Sequence, residues 1–330
     1  MSLEINYIFR KRLPQYNSIE ELFGTLITYI KKECNVEVTE LSSGGASLKN
    51  ILINLRGFKN KSKSIVHITG DVHYMALVTG RYTVLTIHDV KSIIKGSILK
   101  QQLIKLLWFW LPALFVKKIT VISEFSRHEL IPVIPFAKHK IHVVYNPVNV
   151  NLQYTPKDFN SNKPNVLLVG TKPNKNLELT LEAIEGVNCT VTIIGKLSEE
   201  QLALLRAFNI DFTNKFNIPY AEIVQAYSDC DVLVFASTYE GFGMPIIEAQ
   251  TIGRPIITSN IGAMKEVAGN GAILINPRLK QEITKALKDV IEDDNLREKL
   301  INQGLENVKR FQLDKIANDY MSIYKTVLNE

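Results

Sequence analysis

Residues 231–255 read DVLVFASTYEGFGMPIIEAQTIGRP. The β-branched, apolar run Val232 to Phe235 predicts a buried strand, and Ser237 to Gly243 follows with the chemistry of a turn. Pro245 suits the first turn of a helix, because its missing N–H costs nothing there and its φ is already helical. Gly253 supplies the stop. The stretch is therefore a strand, a glycine-containing loop and a helix, the repeating unit of an α/β fold with a parallel sheet.

Such a unit leaves backbone amides unpaired around Gly243, Met244 and the residues just after Pro245, the helix dipole adds partial positive charge there, and Gly241 and Gly243, on either side of Phe242, let the backbone approach a ligand closely. That is a phosphate site. Two carboxylates flank it, Glu240 at the loop entrance and Glu248 one turn into the helix. Carboxylates repel phosphate, so their better partners are hydroxyl groups, and a diphosphate with hydroxyls on both sides is a nucleotide sugar. Taken singly, Glu240 also reads as a turn residue and Glu248 as a complement to the dipole.

The joint pattern EGFGMPIIEA, continued by GRPIITSNIGAMKEVAGNGAILINP to Pro277, resembles the signature of the retaining glycosyltransferases of family four. The resemblance implies a GT-B fold, with two Rossmann-like α/β domains and a cleft between them. It divides the chain into an acceptor domain at 1–149, a nucleotide-sugar domain at 150–312, and a last helix, about 313–330, that packs back on the first domain. It also implies that Glu240 holds the hydroxyls of the donor sugar, that Glu248 holds the ribose, and that the amides of 241–244 meet sugar and phosphate.

The second domain opens with NVLLVGTKPNKNLELTLEAI, again strand, Gly170 loop and helix. Lys172 and Lys175 stand in that loop, where a lysine can pair with a diphosphate and stabilise it as it leaves; two solvated loop lysines are the plain alternative. Relatives carry Arg directly after the glycine. Here Thr171 takes that place, and a lysine lacks the bidentate fork of arginine. In FTNKFNIPYAEIVQAYSDCDV the resemblance points to Asn214, Lys215 and Phe216 for the nucleotide base. Glu266 lies in a segment the family uses near ribose and phosphate, and equally reads as a surface residue of a helix.

In the first half, Ile5–Phe9 and Val36–Leu41 read as strands, and Ser18 with Glu21 as a capping box for a helix over 19–32. No Gly-x-Gly-x-x-Gly follows the first strand, which argues against NAD or FAD as cofactor; none is expected beyond the donor substrate. Ile65–Ile68 and Thr83–Ile87 are β-branched runs that deliver Gly70, Asp71 and His73, then His88 and Asp89, to the ligand edge of a sheet. The resemblance gives His88 a place facing the donor sugar; a structural histidine beside a capping Asp89 is the other reading. The SSGGAS loop at 42–47 reads as a turn, and Ser123 as the N-cap of a helix beginning at Glu124.

Formal net charge is +6, but residues 1–150 hold 20 Lys or Arg against 10 Asp or Glu, and residues 151–330 hold 19 against 23. The positive half could face an anionic membrane or a phosphorylated acceptor; the motifs and aromatic platforms of nucleic-acid binding are missing. Residues 91–118, KSIIKGSILKQQLIKLLWFWLPALFVKK, are too short an apolar run to span a bilayer and suit a membrane interface, or a core helix with lysine-bearing ends. Three scattered cysteines argue against a disulfide framework or zinc site, and no apolar leader is read at the start, so a cytoplasmic protein that can touch the membrane peripherally is expected; no Asp-x-Asp is read as a metal motif, so no catalytic metal is expected. A hinge is expected near 146–162. The expected activity is transfer of a glycosyl group from an NDP-sugar to a glycan or lipid-linked acceptor hydroxyl, with retention, in bacterial surface polysaccharide or glycolipid synthesis. A nucleotide-sugar 2-epimerase and a non-catalytic donor-binding subunit are the rivals.

Overall fold

The computed structural model describes residues 3–12, 18–59, 64–91, 94 and 96–329. The chain forms two compact units, one of residues 1–147 with 313–330 and the other of residues 148–312.

The first unit is a six-stranded parallel sheet of β1 (Glu4–Phe9), β2 (Asn35–Glu40), β3 (Ile65–Ile68), β4 (Thr83–Ile87), β5 (Lys118–Val121) and β6 (Ile141–Val143), in the order β2-β1-β3-β4-β5-β6. Its central strands β3, β4 and β5 are buried at every position, as expected of strands covered on both faces, while the edge strand β2, NVEVTE, is largely exposed. One face is covered by the Ser18–Ile30 and Leu313–Asn329 helices, whose Phe23, Leu26, Tyr320 and Tyr324 pack on Ile5, Tyr7 and Ile65. The side chain of Ser18, and with it the expected capping box, lies outside the described residues.

Under the Leu313–Asn329 helix runs a buried hydrogen-bonded chain. His67 joins the Tyr324 hydroxyl through Nδ1 at 2.6 Å and the Thr86 hydroxyl through Nε2 at 2.7 Å. Tyr324 also meets the Tyr7 hydroxyl at 2.8 Å, and Thr86 meets Thr120 at 2.6 Å. Each hydroxyl is satisfied by a neighbour, which is what makes polar groups tolerable at this depth. Burial holds the His67 imidazole neutral, its pKa lowered to about 3.

The other face of this sheet is covered in part by residues 98–115, one continuous helix that widens to π geometry at Lys105–Trp110. Pro112 lacks the N–H that an α-helix would direct at the Trp108 carbonyl. His73 Nδ1 donates to that oxygen instead, at 2.7 Å. The end of the helix is held by Lys140, whose Nζ donates to the carbonyls of Ala113 at 2.8 Å and Val116 at 2.9 Å. Lys95, one of the lysines of the 91–118 stretch, lies outside the described residues.

The second unit repeats the plan with β7 (Asn165–Val169), β8 (Thr190–Ile194), β9 (Asp211–Lys215), β10 (Val232–Phe235), β11 (Ile256–Ser259) and β12 (Ile273–Ile275), all parallel, in the order β12-β11-β10-β7-β8-β9. The segment expected to be a hinge is largely anchored to this unit. Leu152 is buried, Lys157 pairs with the buried Asp231, and Arg254 Nη1 donates to the Thr155 carbonyl at 2.8 Å.

Candidate functional site

In the second unit the chain lays down β7, β8 and β9 towards one edge and then returns to place β10 against the other side of β7. The loops after β7 and β10 therefore part company at the carboxyl end of the sheet, where open parallel sheets bind their ligands. Both loops were singled out in the sequence, and the structure latches them together. Lys175 Nζ lies 2.6 Å from Glu240 Oε1, and Asn174 Nδ2 donates to the same oxygen at 3.1 Å and to the Tyr239 carbonyl at 2.9 Å. Thr238 N in turn donates to the Asn174 carbonyl at 2.8 Å. Asn176, in the left-handed conformation, donates to the carbonyls of Ala236 and Pro277, which ties in the loop after β12.

Gly170 is what lets Lys175 lie there. Its φ is +95°, and a Cβ would sit 2.8 Å from Lys175 Cε, so the lysine stem runs over the bare glycine backbone. The ammonium also stands 4.7 Å above the Phe235 ring. Lys175 and Glu240 are mostly buried but retain an exposed edge, at 19% and 16% of their side-chain surfaces.

The helix begins at Met244 and ends at Ile252, with Pro245 in its first turn and Gly243, φ +106°, as its entry residue. The Phe242 side chain turns inward, 3% exposed, edge-on to Phe311 with centroids 5.6 Å apart, so at this position only the backbone can meet a ligand. Glu248 is buried on the second turn, and the Tyr227 hydroxyl donates to its Oε2 at 2.6 Å. Burial and the neighbouring carboxylate hold the Tyr227 phenol well above its ordinary pKa, so it stays a donor.

Asn174, Asn176 and Tyr227 were not picked out in the sequence. The signal for Tyr227 lay in its place one helix upstream of β10. The two asparagines flank Lys175 in PNKN, and Asn176 takes the left-handed conformation that asparagine tolerates.

Of the other singled-out residues, Thr171 and Asn214 hold the backbone through their side chains. The Thr171 hydroxyl donates to the Lys196 carbonyl at 2.7 Å. Asn214 Nδ2 donates to the carbonyls of Ile193 and Gly195, at 3.1 and 2.8 Å, and so fixes the loop after β8. Phe216 is half exposed, and Lys215 at the end of β9 accepts through its carbonyl from Gly195 N. Lys172 is the residue before the short 3-10 turn Pro173–Lys175. Glu266 sits on the Gly262–Ala268 helix, and its carbonyl accepts from Arg310.

Contrary to the expectation that the chain lacks an Asp-x-Asp, Asp229-Cys230-Asp231 has that spacing, but Asp231 is 3% exposed and its carboxylate accepts from Lys157 and from the backbone of Asn160 and Asn165. Among the described residues no group of three or more His, Cys, Asp or Glu is placed to hold a metal ion.

The first unit has its own switch point, between β1 and β3, and an ion pair crosses it too, from Arg10 to Asp71. His88, after β4, donates from Nε2 to the Thr69 carbonyl at 2.7 Å. Burial lowers its pKa, so the ring is neutral and Nδ1 carries the lone pair. His73 is fully buried, with its pKa lowered to about 4 by burial, and its bond to Trp108 makes it a structural residue.

With this geometry described, comparison with known proteins adds the following. Residues 154–307 match the model of the family described as glycosyl transferases group 1. An uncharacterised glycosyltransferase of Methanocaldococcus jannaschii is 24% identical over 250 residues, 73% of this chain and 68% of that protein. The O-antigen chain mannosyltransferase B of Escherichia coli is 30% identical over 108 residues, 33% of this chain and only 28% of the mannosyltransferase. The crystal structure of Anabaena HepE in complex with UDP and glucose superposes with a TM-score of 0.74 at 16% identity, covering 98% of this chain and all of that one. The fold is GT-B. Together the family match and the relatives support a GT-B glycosyltransferase.

Proposed function

We propose that the chain transfers a glycosyl group from a nucleoside-diphosphate sugar to an acceptor hydroxyl, with retention at the anomeric carbon and without a bound metal. The observation that carries this reading is the latch of Lys175, Asn174 and Glu240 across the β7/β10 switch point, beside the entry of the Met244–Ile252 helix and one turn from Glu248. A cation, a helix N-terminus and two fixed carboxylates are what a sugar diphosphate needs. The diphosphate takes Lys175 and the backbone of 241–244, Glu240 accepts from sugar hydroxyls, and Glu248, oriented by Tyr227, accepts from the ribose. That a solved protein of this fold holds UDP and glucose favours a uridine or related nucleotide donor. An O-antigen mannosyltransferase among the relatives favours a glycan acceptor.

In the reaction the bond from the anomeric carbon to the diphosphate oxygen breaks, and the acceptor oxygen bonds the same carbon on the same face. The acceptor proton passes to the departing phosphate oxygen. Lys175 and the amides of 241–244 meet the charge that develops on that oxygen, the contribution that is usually largest in such sites. His88, neutral with a lone pair at Nδ1, is suited to accept from a hydroxyl and not to supply a cation.

The test is a screen of UDP-, GDP-, ADP- and dTDP-sugars in EDTA, following binding and slow release of the nucleoside diphosphate, with Glu248→Ala alongside. Selective binding that the variant loses supports the reading; no binding to any donor overturns it. Isotope transfer from the bound donor to an acceptor then separates transfer from epimerisation and from binding without turnover.

A further inference from the structure

The helix over 98–115 is apolar on two faces. Phe109, Ala113 and Val116, just past its end, enter the core of the first unit and hold the helix in place. On the outward side Leu99, Leu103, Leu106, Trp110 and Leu114 recur at intervals of three and four residues, and they are exposed, from 40% at Leu106 and Trp110 to 82% at Leu99. Residues 98–104 contribute no buried side chain at all. Packing therefore explains the inner face and leaves the outer one unexplained, and a contiguous exposed apolar stripe marks an interaction surface. The Trp110 indole N–H donates to the Val133 carbonyl at 2.7 Å, which fixes the ring on the surface while its face stays open.

Charge selects the occupant. From residue 90 to residue 123 the sequence holds six lysines and no Asp or Glu; of these, Lys118 is buried in β5 and Lys91 pairs with Glu129, so the charge beside the stripe is that of Lys100 and Lys105. Lys100 and Lys105 flank the stripe and form no ion pair among the described residues. A second copy of the chain would bring like charges together across this face. An acidic protein groove would match the charge, but an extended stripe with lysines beside it and a fixed indole on it matches a lipid–water interface, where leucine enters the acyl boundary, indole sits at headgroup depth and lysine meets anionic headgroups.

We infer that the first unit docks on an anionic bilayer surface through the outer face of residues 99–114, lying in the interface without crossing it. Among the described residues no helix is long and apolar enough to cross. The inference needs no donor and stands apart from the glycosyl-transfer reading.

The full chain is sedimented with vesicles of phosphatidylcholine alone and with vesicles that also contain phosphatidylglycerol, at low and high salt. Binding is expected only to the second, weakened by salt. Lys100→Gln and Lys105→Gln should each reduce partitioning roughly fivefold, and Leu99→Gln combined with Leu103→Gln by at least about tenfold. Because those leucines are exposed, this pair should leave the circular dichroism and the UDP-sugar binding unchanged. Brominated acyl chains should quench the parent more than a Trp110→Phe variant. Failure to bind the anionic vesicles at low salt overturns the inference. So does undiminished binding by the leucine pair, which would reduce the contact to charge alone, and so does a concentration-dependent dimer that the leucine pair abolishes, which would give the face to a second copy.

Discussion

Lowering the pH from 7 to 5 should destabilise the first unit, and a separable part of that loss belongs to His67. Its imidazole is wholly buried between Tyr324 and Thr86 and is held neutral, with a pKa of about 3 against 6.5 for an exposed histidine; burial is the main cause and the nearby His88 the lesser one. The folded pKa is the lower of the two, so between pH 6.5 and 3 the unfolded chain binds a proton that the folded chain refuses. The contribution is complete above pH 6.5 and is lost as pH falls below it. At pH 5 the unfolded form gains RT ln(1 + 10^1.5), which less the small term at pH 7 leaves about 2 kcal/mol.

The two tryptophans of the chain, Trp108 and Trp110, both belong to the first unit, so their fluorescence in a urea titration reports that unit. The comparison is between the parent and His67→Gln, whose amide can still donate and accept. The variant should be less stable at pH 7, by roughly 1–3 kcal/mol for disturbed buried hydrogen bonds, yet it should lose about 2 kcal/mol less than the parent on going to pH 5. His73 and His88 are present in both proteins, so their contribution largely cancels, apart from the lesser electrostatic link between His88 and His67. If the parent and the variant lose the same stability between the two pH values, His67 is not the buried neutral group described here.

Lys175→Ala should lower kcat by roughly a hundredfold, about 3 kcal/mol for one preorganised group facing the leaving charge, and single-turnover assays should place the loss in the chemical step. Tyr227→Phe removes one hydrogen bond to a buried carboxylate and should raise the donor Kd about tenfold with little change in kcat; an unchanged Kd by calorimetry would separate Glu248 from ribose recognition. Gly170→Ala places a methyl 2.8 Å from Lys175 Cε at a φ of +95°. It should therefore mimic Lys175→Ala in turnover while also costing at least about 1 kcal/mol of stability in the second unit. Lys140→Met leaves the carbonyls of Ala113 and Val116 without their donor and should lower the midpoint followed by tryptophan fluorescence by about 1–2 kcal/mol.

The elements that could be read from the sequence are those whose cause is local. Val232–Phe235 and Thr83–Ile87 are continuous β-branched runs, and both are strands with those bounds. Pro245 lies in the first turn of its helix, and Ser123 accepts from Ser126 N as an N-cap should. What could not be read was made by topology. Lys175 and Glu240 are 65 positions apart, and nothing in either loop announces that the return of the chain to β10 will set them 2.6 Å from each other. The same return gives Asn174 its two acceptors.

Asn214 shows the converse. It stands at a place suited to a ligand, and its amide nitrogen also binds two backbone carbonyls within its own unit, a structural role that the local sequence does not announce. The π-turn at Lys105–Trp110 is equally non-local. A sequence shows Pro112, but the donor that meets the Trp108 carbonyl comes from His73, on a different element.

The first unit is discontinuous, built from residues 1–147 and 313–330 with the whole second unit encoded between them. On the ribosome this fixes an order of events. When the sheet of β1–β6 has emerged, the face that carries Tyr7 and His67 has the Ser18–Ile30 helix but still lacks Tyr320 and Tyr324, and that part of it stays open until residues 148–312 and the helix after them have been synthesised. The second unit has no such debt and can close as soon as it is out. Although domains usually complete themselves from the N-terminus during translation, here the later-encoded unit is free to finish first. The earlier one must wait for the tyrosines of the Leu313–Asn329 helix, which makes its uncovered face the segment most exposed to chaperones and to aggregation in a nascent chain.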